Sequence, residues 1–259
     1  MTLIVAVGCT DGVVLASDSA TTDTETGTKQ PSQKIRQVRQ LPILWGGSGD
    51  VGLLQKIEES LTGADLAMHS VKRVRQDLKK LTASELAESR QFHVPYPQPP
   101  FHQPPVAVLL FAFILQGRGW ILEIERDGRD TMYDEGLGSF AAIGSGKPWA
   151  QAAFRPHLGS QRALDEGKLL AYKVVDDSIM LAAGGLAHPI HMYTISLDGI
   201  VAEVEHPELK ALADACELVR EAERSALKSG LTPQPEVMES PVVIPVPDED
   251  AEGKGQAPG

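Results

Sequence analysis

MTLIVAVGCTDGVVLASD, residues 1–18, is the stretch whose reading decides the fold. Leu3 to Val7 and Val13 to Ala16 are apolar, β-branched-rich runs, and Thr10-Asp11-Gly12 is a tight-turn tripeptide between them. Two short apolar runs bounded by such a turn predict a buried hairpin. The stretch has no basic start, no long apolar core and no cleavage site, so it does not read as a targeting signal. The hairpin therefore begins one residue after the initiator Met. Loss of Met1 would leave Thr2 first, with an α-amino group and a hydroxyl on one residue. A free α-amine has a pKa of about 8, so part of it is unprotonated at neutral pH. It can take the proton of Thr2 Oγ1 directly or through one water. On the hairpin alone, the plainer reading is that Thr2 simply starts a strand.

The 259 residues, 42% of them hydrophobic, suit one large or two small domains with a real core. The longest apolar run, Val106 to Leu115, is too short to span a membrane and predicts a buried strand. A net charge of −11 argues against nucleic acid and against an anionic membrane surface as partners. Cys9 and Cys216 give neither a disulfide framework nor a metal spacing, and read as reduced core thiols of a cytoplasmic protein.

Along the chain, Ala20 to Gln33 is polar and turn-rich and predicts a loop. Lys34 to Val38 alternates, with Ile35 and Val38 inward, and Ile43 to Trp45 is a short buried strand. Gly46-Gly47-Ser48-Gly49-Asp50 then reads as a glycine-rich turn where backbone N–H groups can approach a ligand. Helices are predicted over Val51 to Leu61 and Ala67 to Leu81. The second has Met68, Val71, Val74, Leu78 and Leu81 at helical spacing and a solvated basic face. Val106 to Leu115 and Trp120 to Glu125 form a second hairpin around Gly117-Arg118-Gly119, and Phe140 to Ile143 is a strand. Gly144-Ser145-Gly146-Lys147-Pro148 is not a phosphate-binding loop, because Pro148 stands where a Ser or Thr should hold magnesium. Nor is it a nucleophile elbow, since Ile143 and Lys147 stand where glycines are needed. Helices Trp149 to Leu158 and Leu164 to Leu181 follow, then strands Pro189 to Ile195 and Ile200 to Val204 and a helix from Pro207 to Lys228.

Two segments stand apart. Gln91 to Pro105 holds six prolines and three aromatics and predicts an extended, partly polyproline loop. Its His93 and His102 have no carboxylate or cysteine at ligand spacing, so no metal or other cofactor is expected. Residues 231–259 hold six prolines and six acidic residues against one lysine, and predict a disordered acidic tail behind a folded domain of residues 1–230.

This order of strands and helices predicts an α+β protein, two antiparallel sheets layered between helices in a four-layer αββα sandwich. The residues also carry a resemblance. TLIVAVGCTDGVVLASDS resembles the start of proteasome β-subunits and of the bacterial protease subunit HslV. The pattern continues with the Lys of PSQKIRQV, the small-residue turn of WGGSGD and the stretch AAIGSGKPWAQAA, and spans Thr2 to about Ile195. The Pro-rich insertion and acidic tail are most similar to the betaproteobacterial proteasome homologues. The fold this implies is that of the N-terminal nucleophile hydrolases.

The resemblance reverses the plain reading of Thr2, which matches the N-terminal nucleophile. It implies that Asp18 pairs with the active-site Lys34, whose ammonium eases deprotonation of Oγ1. Gly46 matches the donor of the oxyanion hole and Ser145 the serine that bonds the terminal amine. The late Asp of the family falls on Asp177, with Asp176 as runner-up, and Ala183 stands where a serine would. Thr22, Gly47 and Ser48 are the implied substrate-binding residues. The activity implied is that of a threonine endopeptidase working on unfolded polypeptide inside stacked homo-oligomeric rings, heptameric ahead of hexameric, with an AAA+ unfoldase left open as partner. The opposing class is a non-catalytic ring scaffold or binding chamber with a relic site; a small-molecule amidase is a weaker third.

In the resembled fold the Pro-rich loop lies at the pore-facing end of the ring, where Phe92, Tyr96 and Phe101 would offer apolar contacts to an incoming chain. Replacing these three with Ser is expected to slow degradation of an unfolded protein and to leave small fluorogenic peptides nearly untouched. Equal rates in mutant and wild type for both substrates would remove the loop from recognition.

Overall fold

In the computed structural model of the chain, residues 1–22, 29–91, 106–133, 140–181 and 185–230 are described. The Pro-rich loop with Phe92, His93, Tyr96, Phe101 and His102, the residue Ala183 and the acidic tail lie outside them. The first eighteen residues form the expected hairpin. β1 (Ile4–Cys9) and β2 (Gly12–Ser17) run antiparallel from Ile4↔Ser17 to Cys9↔Gly12, so the turn itself is only Thr10-Asp11. Both strands are buried on both faces, which is why they read as continuous apolar runs rather than as alternation.

This hairpin is the middle of a five-stranded antiparallel sheet in the order β10-β1-β2-β11-β12, whose other members are β10 (Phe140–Ile143), β11 (His191–Ser196) and β12 (Val201–Glu203). A second five-stranded antiparallel sheet runs in the order β5-β6-β7-β8-β9. Its strands are β5 (Ile35–Gln37), β6 (Ile43–Gly49), β7 (Ala107–Leu115), β8 (Arg118–Ile124) and β9 (Asp130–Tyr133). Between the sheets lies a core of Ile4, Ala6, Val13, Leu15, Leu44, Leu110 and their neighbours.

The outer faces carry helices. Leu3, Val5, Val7 and Val14 pack under α3 (Lys147–Phe154), α4 (Leu164–Leu181) and the start of α5 (His206–Gly230). Trp45, Leu109, Phe111 and Phe113 pack under α1 (Val51–Gly63) and α2 (Val71–Gln91). Alternate residues of one strand thus feed different cores, Leu3 outward and Ile4 inward. The result is the expected four-layer αββα sandwich. By internal contacts the chain divides into two units, Met1–Val219 and Arg220–Gly259. No helix among the described residues is long and apolar enough to cross a membrane.

Several elements differ from their sequence-based expectation. The expected loop after β2 contains a two-stranded ribbon, β3 (Ala20–Thr22) with β4 (Lys29–Pro31). The glycine run is not a turn: Gly46, Gly47, Ser48 and Gly49 are the second half of β6, opposite Leu110, Leu109, Val108 and Ala107. Close approach of backbone requires glycine at Gly46 and Gly49, while at Gly47 the neighbour is the flexible end of a side chain. A Cβ on Gly46 would sit 2.8 Å from the Lys34 carbonyl oxygen, and one on Gly47 2.2 Å from Leu54 Cδ2. α2 runs ten residues past Leu81. Its polar second half is tied down by Leu86 in the core and by Ser60 Oγ donating to Glu85 Oε1 at 2.5 Å. Cys9 and Cys216 are buried and form no disulfide with each other, and burial pushes the Cys9 thiol up to about 12.

The β2–β11 contact has a clear test. A Cβ on Gly12 would lie 2.4 Å from the backbone oxygen of Ile195, which cannot turn away as a side chain can. Gly12→Ala is expected to lower stability by about 1–3 kcal/mol, read as a lower urea midpoint with an unchanged slope. An unchanged midpoint would show that the sheet relaxes at this edge.

Candidate active site

The site forms where the ends of β1 and β2 meet the loop before β5 and the turn before α3. β1 and β2 leave Leu3 and Asp18 side by side, and their ladder continues past the strands with the Asp18 amide donating to the Leu3 carbonyl at 3.2 Å. Asp18 is completely buried. An unpaired charge there would cost several kcal/mol, and the structure supplies three donors. The Leu3 amide donates to Oδ1 at 2.8 Å, the Ala20 amide to Oδ2 at 3.0 Å and Lys34 Nζ to Oδ1 at 2.7 Å. Lys34 Nζ donates also to the Ala20 carbonyl oxygen, at 2.6 Å. Burial pulls the Lys34 ammonium below the ordinary lysine range, and the neighbouring Asp18 carboxylate works against that pull. Beside them the hydroxyl of Ser17 is buried with no hydrogen-bond partner among the described residues, a cost of about 1–3 kcal/mol.

Thr2 is fixed from the other side by the turn between β10 and α3. Its backbone N–H donates to Ser145 Oγ at 3.1 Å, and its carbonyl oxygen accepts from the Gly146 amide at 3.2 Å. Gly144 makes this possible: its φ is +95°, and a Cβ there would stand 2.1 Å from the Thr2 carbonyl oxygen. Met1 lies against Gly185, where a Cβ would come within 2.1 Å of Met1 Sδ.

A cleft of about 210 Å³ opens beside these groups, lined by Thr2, Lys34 and Gly47 among others. Gly49 lines it as well, whereas Gly46 is buried against Ile4 and the Lys34 carbonyl. Ser48 lines a neighbouring cleft with Gly144, and its Oγ lies 3.3 Å from where a Gly144 Cβ would be. Thr22 sits in β3 opposite Lys29. Asp177, on α4, accepts from Lys173 Nζ at 2.9 Å, and Asp176 Oδ1 lies 3.1 Å from His188 Nε2. The structure thus brings Thr2, Asp18, Lys34 and Ser145 together through hydrogen bonds and a shared cleft. Sequence reasoning missed the Leu3 amide, the Ala20 carbonyl and Gly144. Backbone groups leave no trace in side-chain patterns, but a glycine directly before the candidate serine is a signal that could have pointed to Gly144.

Comparison with known proteins agrees with this architecture. The family described as "Proteasome subunit" matches residues 2–204. No curated protein sequence matches the chain. Among solved structures, the Anbu complex from Pseudomonas aeruginosa, described as a helical assembly, superposes with a TM-score of 0.70 at 15% identity, covering 92% of this chain and 100% of that one. A Gly-1 mutant of Anbu from Hyphomicrobium sp. strain MC1 gives 0.68 at 16% identity, covering 88% and 97%. Anbu from Yersinia bercovieri, described as an ancestral β-subunit, gives 0.67 at 14% identity, covering 92% and 100%. These likenesses concern the fold.

Removing one member of the buried pair leaves the other without its charge partner. Asp18→Ala is expected to cost about 3–5 kcal/mol, measured by urea unfolding. Asp18→Ala with Lys34→Met should recover a large part of that loss, because both charges leave together. A double mutant no more stable than Asp18→Ala would show that the pair is not the cause.

Proposed function

The chain belongs to the proteasome subunit family, and from that premise we propose that it is a threonine endopeptidase whose nucleophile is Thr2 after removal of Met1. The observation that carries the reading is the meeting of four residues far apart in sequence. Ser145 holds the Thr2 nitrogen, and Asp18 holds Lys34 at the wall of the cleft that Thr2 opens on. Met1 is half exposed and followed by a small residue, which suits its excision.

In the proposed reaction the neutral α-amine of Thr2 takes the proton of Oγ1, and Oγ1 attacks the peptide carbonyl carbon. Lys34 supplies positive charge beside the developing alkoxide. The tetrahedral oxygen is received by a backbone N–H of the Gly46-Gly47 segment, a donor of a kind worth about 10²–10³ in rate. Collapse expels the amine product, which leaves with the proton from the Thr2 ammonium. Water, deprotonated by the same amine, then hydrolyses the ester and restores Oγ1–H. Asp177 is proposed for the amine network by the family resemblance alone, its described bond being to Lys173 on its own helix. Because burial lowers the affinity of Lys34 for its proton, the rate should fall on the alkaline side before an ordinary lysine, with a pKa of about 10.4, would titrate.

By likeness to the family, the chain is proposed to work in the cytoplasm on unfolded polypeptide, as an oligomer of closed rings, seven-fold ahead of six-fold. The helical assembly of the Pseudomonas Anbu supports self-association and adds an open helix as a second geometry, since a head-to-tail interface gives one or the other according to its rotation.

Intact mass of the purified protein is expected to show Met1 absent and to rise by one inhibitor per chain with a peptide epoxyketone, which needs both the hydroxyl and the free amine of Thr2. Thr2→Ala should abolish labelling and peptide hydrolysis and keep the assembled mass in light scattering. Met1 retained in active material would overturn the mechanism. A fully trimmed, assembled protein inert to epoxyketone and peptides would favour the scaffold reading.

A further inference from the structure

The cleft beside Thr2 has a chemical bias that peptide hydrolysis as such does not use. Its described lining carries Gln30, Ser32, Gln33 and Gln55, two cations, Lys34 and Arg36, and no carboxylate. Lys34 is engaged by the buried Asp18. Arg36 is held differently. Its Nε lies 2.9 Å from Glu58 Oε1, and its guanidinium carbon stands 5.7 Å from the centroid of the Trp45 ring. Arg36 lines the cleft and Glu58 does not, so the pair holds the arginine at the wall while its carboxylate offsets part of the charge.

The strength of that pair decides what Arg36 can still do. Its side chains are 38% and 37% exposed, and a solvent-exposed ion pair of that kind contributes little. It uses Nε, whereas a guanidinium has two terminal nitrogens that fit a carboxylate as a planar fork. The Trp45 ring face beside the guanidinium adds a cation–π attraction that helps hold the group in place. The adjacent wall is also fixed. Gln33 Nε2 donates to Tyr193 Oη, and burial together with Glu203 lifts that phenol to about 12, so it stays protonated. The net charge of −11 does not decide the matter, because at physiological salt exposed charges are screened beyond about 8 Å.

We infer that this cleft receives the side chain of the residue whose carbonyl Thr2 attacks, and that Arg36 selects an acidic side chain there, glutamate first and glutamine second. A basic side chain would meet Arg36 and Lys34 with no carboxylate in the described lining to answer it. A leucine side chain would displace water from the polar lining without replacing the hydrogen bonds it makes there, the circumstance in which a polar pocket discriminates strongly. The inference rests on the hydrolase reading and adds to it the class of peptide bond that is cut.

The test uses the full-length protein and three peptide epoxyketones that differ only in the residue bearing the warhead, Glu, Leu or Lys. Labelling is followed by intact mass. The Glu compound is expected to label at least about tenfold faster than the other two. The ratio of Glu to Leu labelling is the main readout, because the fraction of folded protein cancels from it. That ratio should fall at least about fivefold in Arg36→Ala, and the order of Glu and Lys should reverse in Arg36→Glu. Fastest labelling by the Leu or Lys compound, or a ratio unmoved by Arg36→Ala, would overturn the inference and leave Thr2 a nucleophile. Labelling by none of the three would overturn the hydrolase reading and this inference with it.

Discussion

The bond between the Asp18 carboxylate and the Lys34 ammonium is the constraint to which the rest of the structure is fitted. Asp18 is fully buried, and a carboxylate in that position is stable only while every oxygen is answered. The three donors come from three pieces of chain: Leu3 at the start of β1, Ala20 at the start of β3, and Lys34 just before β5. Satisfying one side chain therefore fixes where the chain begins, where it leaves the first sheet and where it enters the second. The Leu3 amide matters most in this respect, because the next residue toward the N-terminus is Thr2.

Two sheets face each other with helices on both outer sides, so most strands have no solvent face. That economy is why Leu3, Ile4, Val5, Ala6 and Val7 can all be apolar in sequence and still divide between two cores. It also explains the small residues of β6. At Gly46 the backbone of Lys34 comes too close for a side chain, and at Gly47 the tip of the Leu54 side chain fills the space. The same lack of side chains leaves the backbone of Gly47 and Gly49 uncovered along the cleft. Close packing and an accessible backbone are here one property of the strand.

The apolar pattern located the strands and helices where it is strong, and the family resemblance named Thr2, Asp18, Lys34 and Ser145, which meet, together with Gly46, which is buried, and Asp177, which bonds Lys173 on its own helix. The hairpin was legible because both runs are apolar and the turn is short. What the sequence concealed has physical causes. The pairing of β3 with β4 uses polar and threonine-rich chain that carries no burial pattern. β9 is a short edge strand held by Asp130, which accepts from Lys79 at 2.5 Å and also pairs with Arg75, both on α2. Such an anchor depends on partners far off in sequence. The glycine run was misread because glycine ordinarily marks turns, and only the approach of Ile4, the Lys34 backbone and Leu54 shows that a strand needs it. At the site, the side chains were readable and the backbone groups that answer them were not.

The two-residue turn between β1 and β2 also bears on how the chain can change over time. Asp11 in that turn caps α4 by accepting from the Leu164 amide at 2.7 Å, and Cys9 faces Gly12 directly across it. Adding or deleting one residue inside the paired part of β1 or β2 would shift the ladder by one step and part the Leu3 amide from Asp18. The spacing of nucleophile and carboxylate is therefore a counted length along the paired strands. Within this hairpin a change of chain length fits only in the turn or as a bulge.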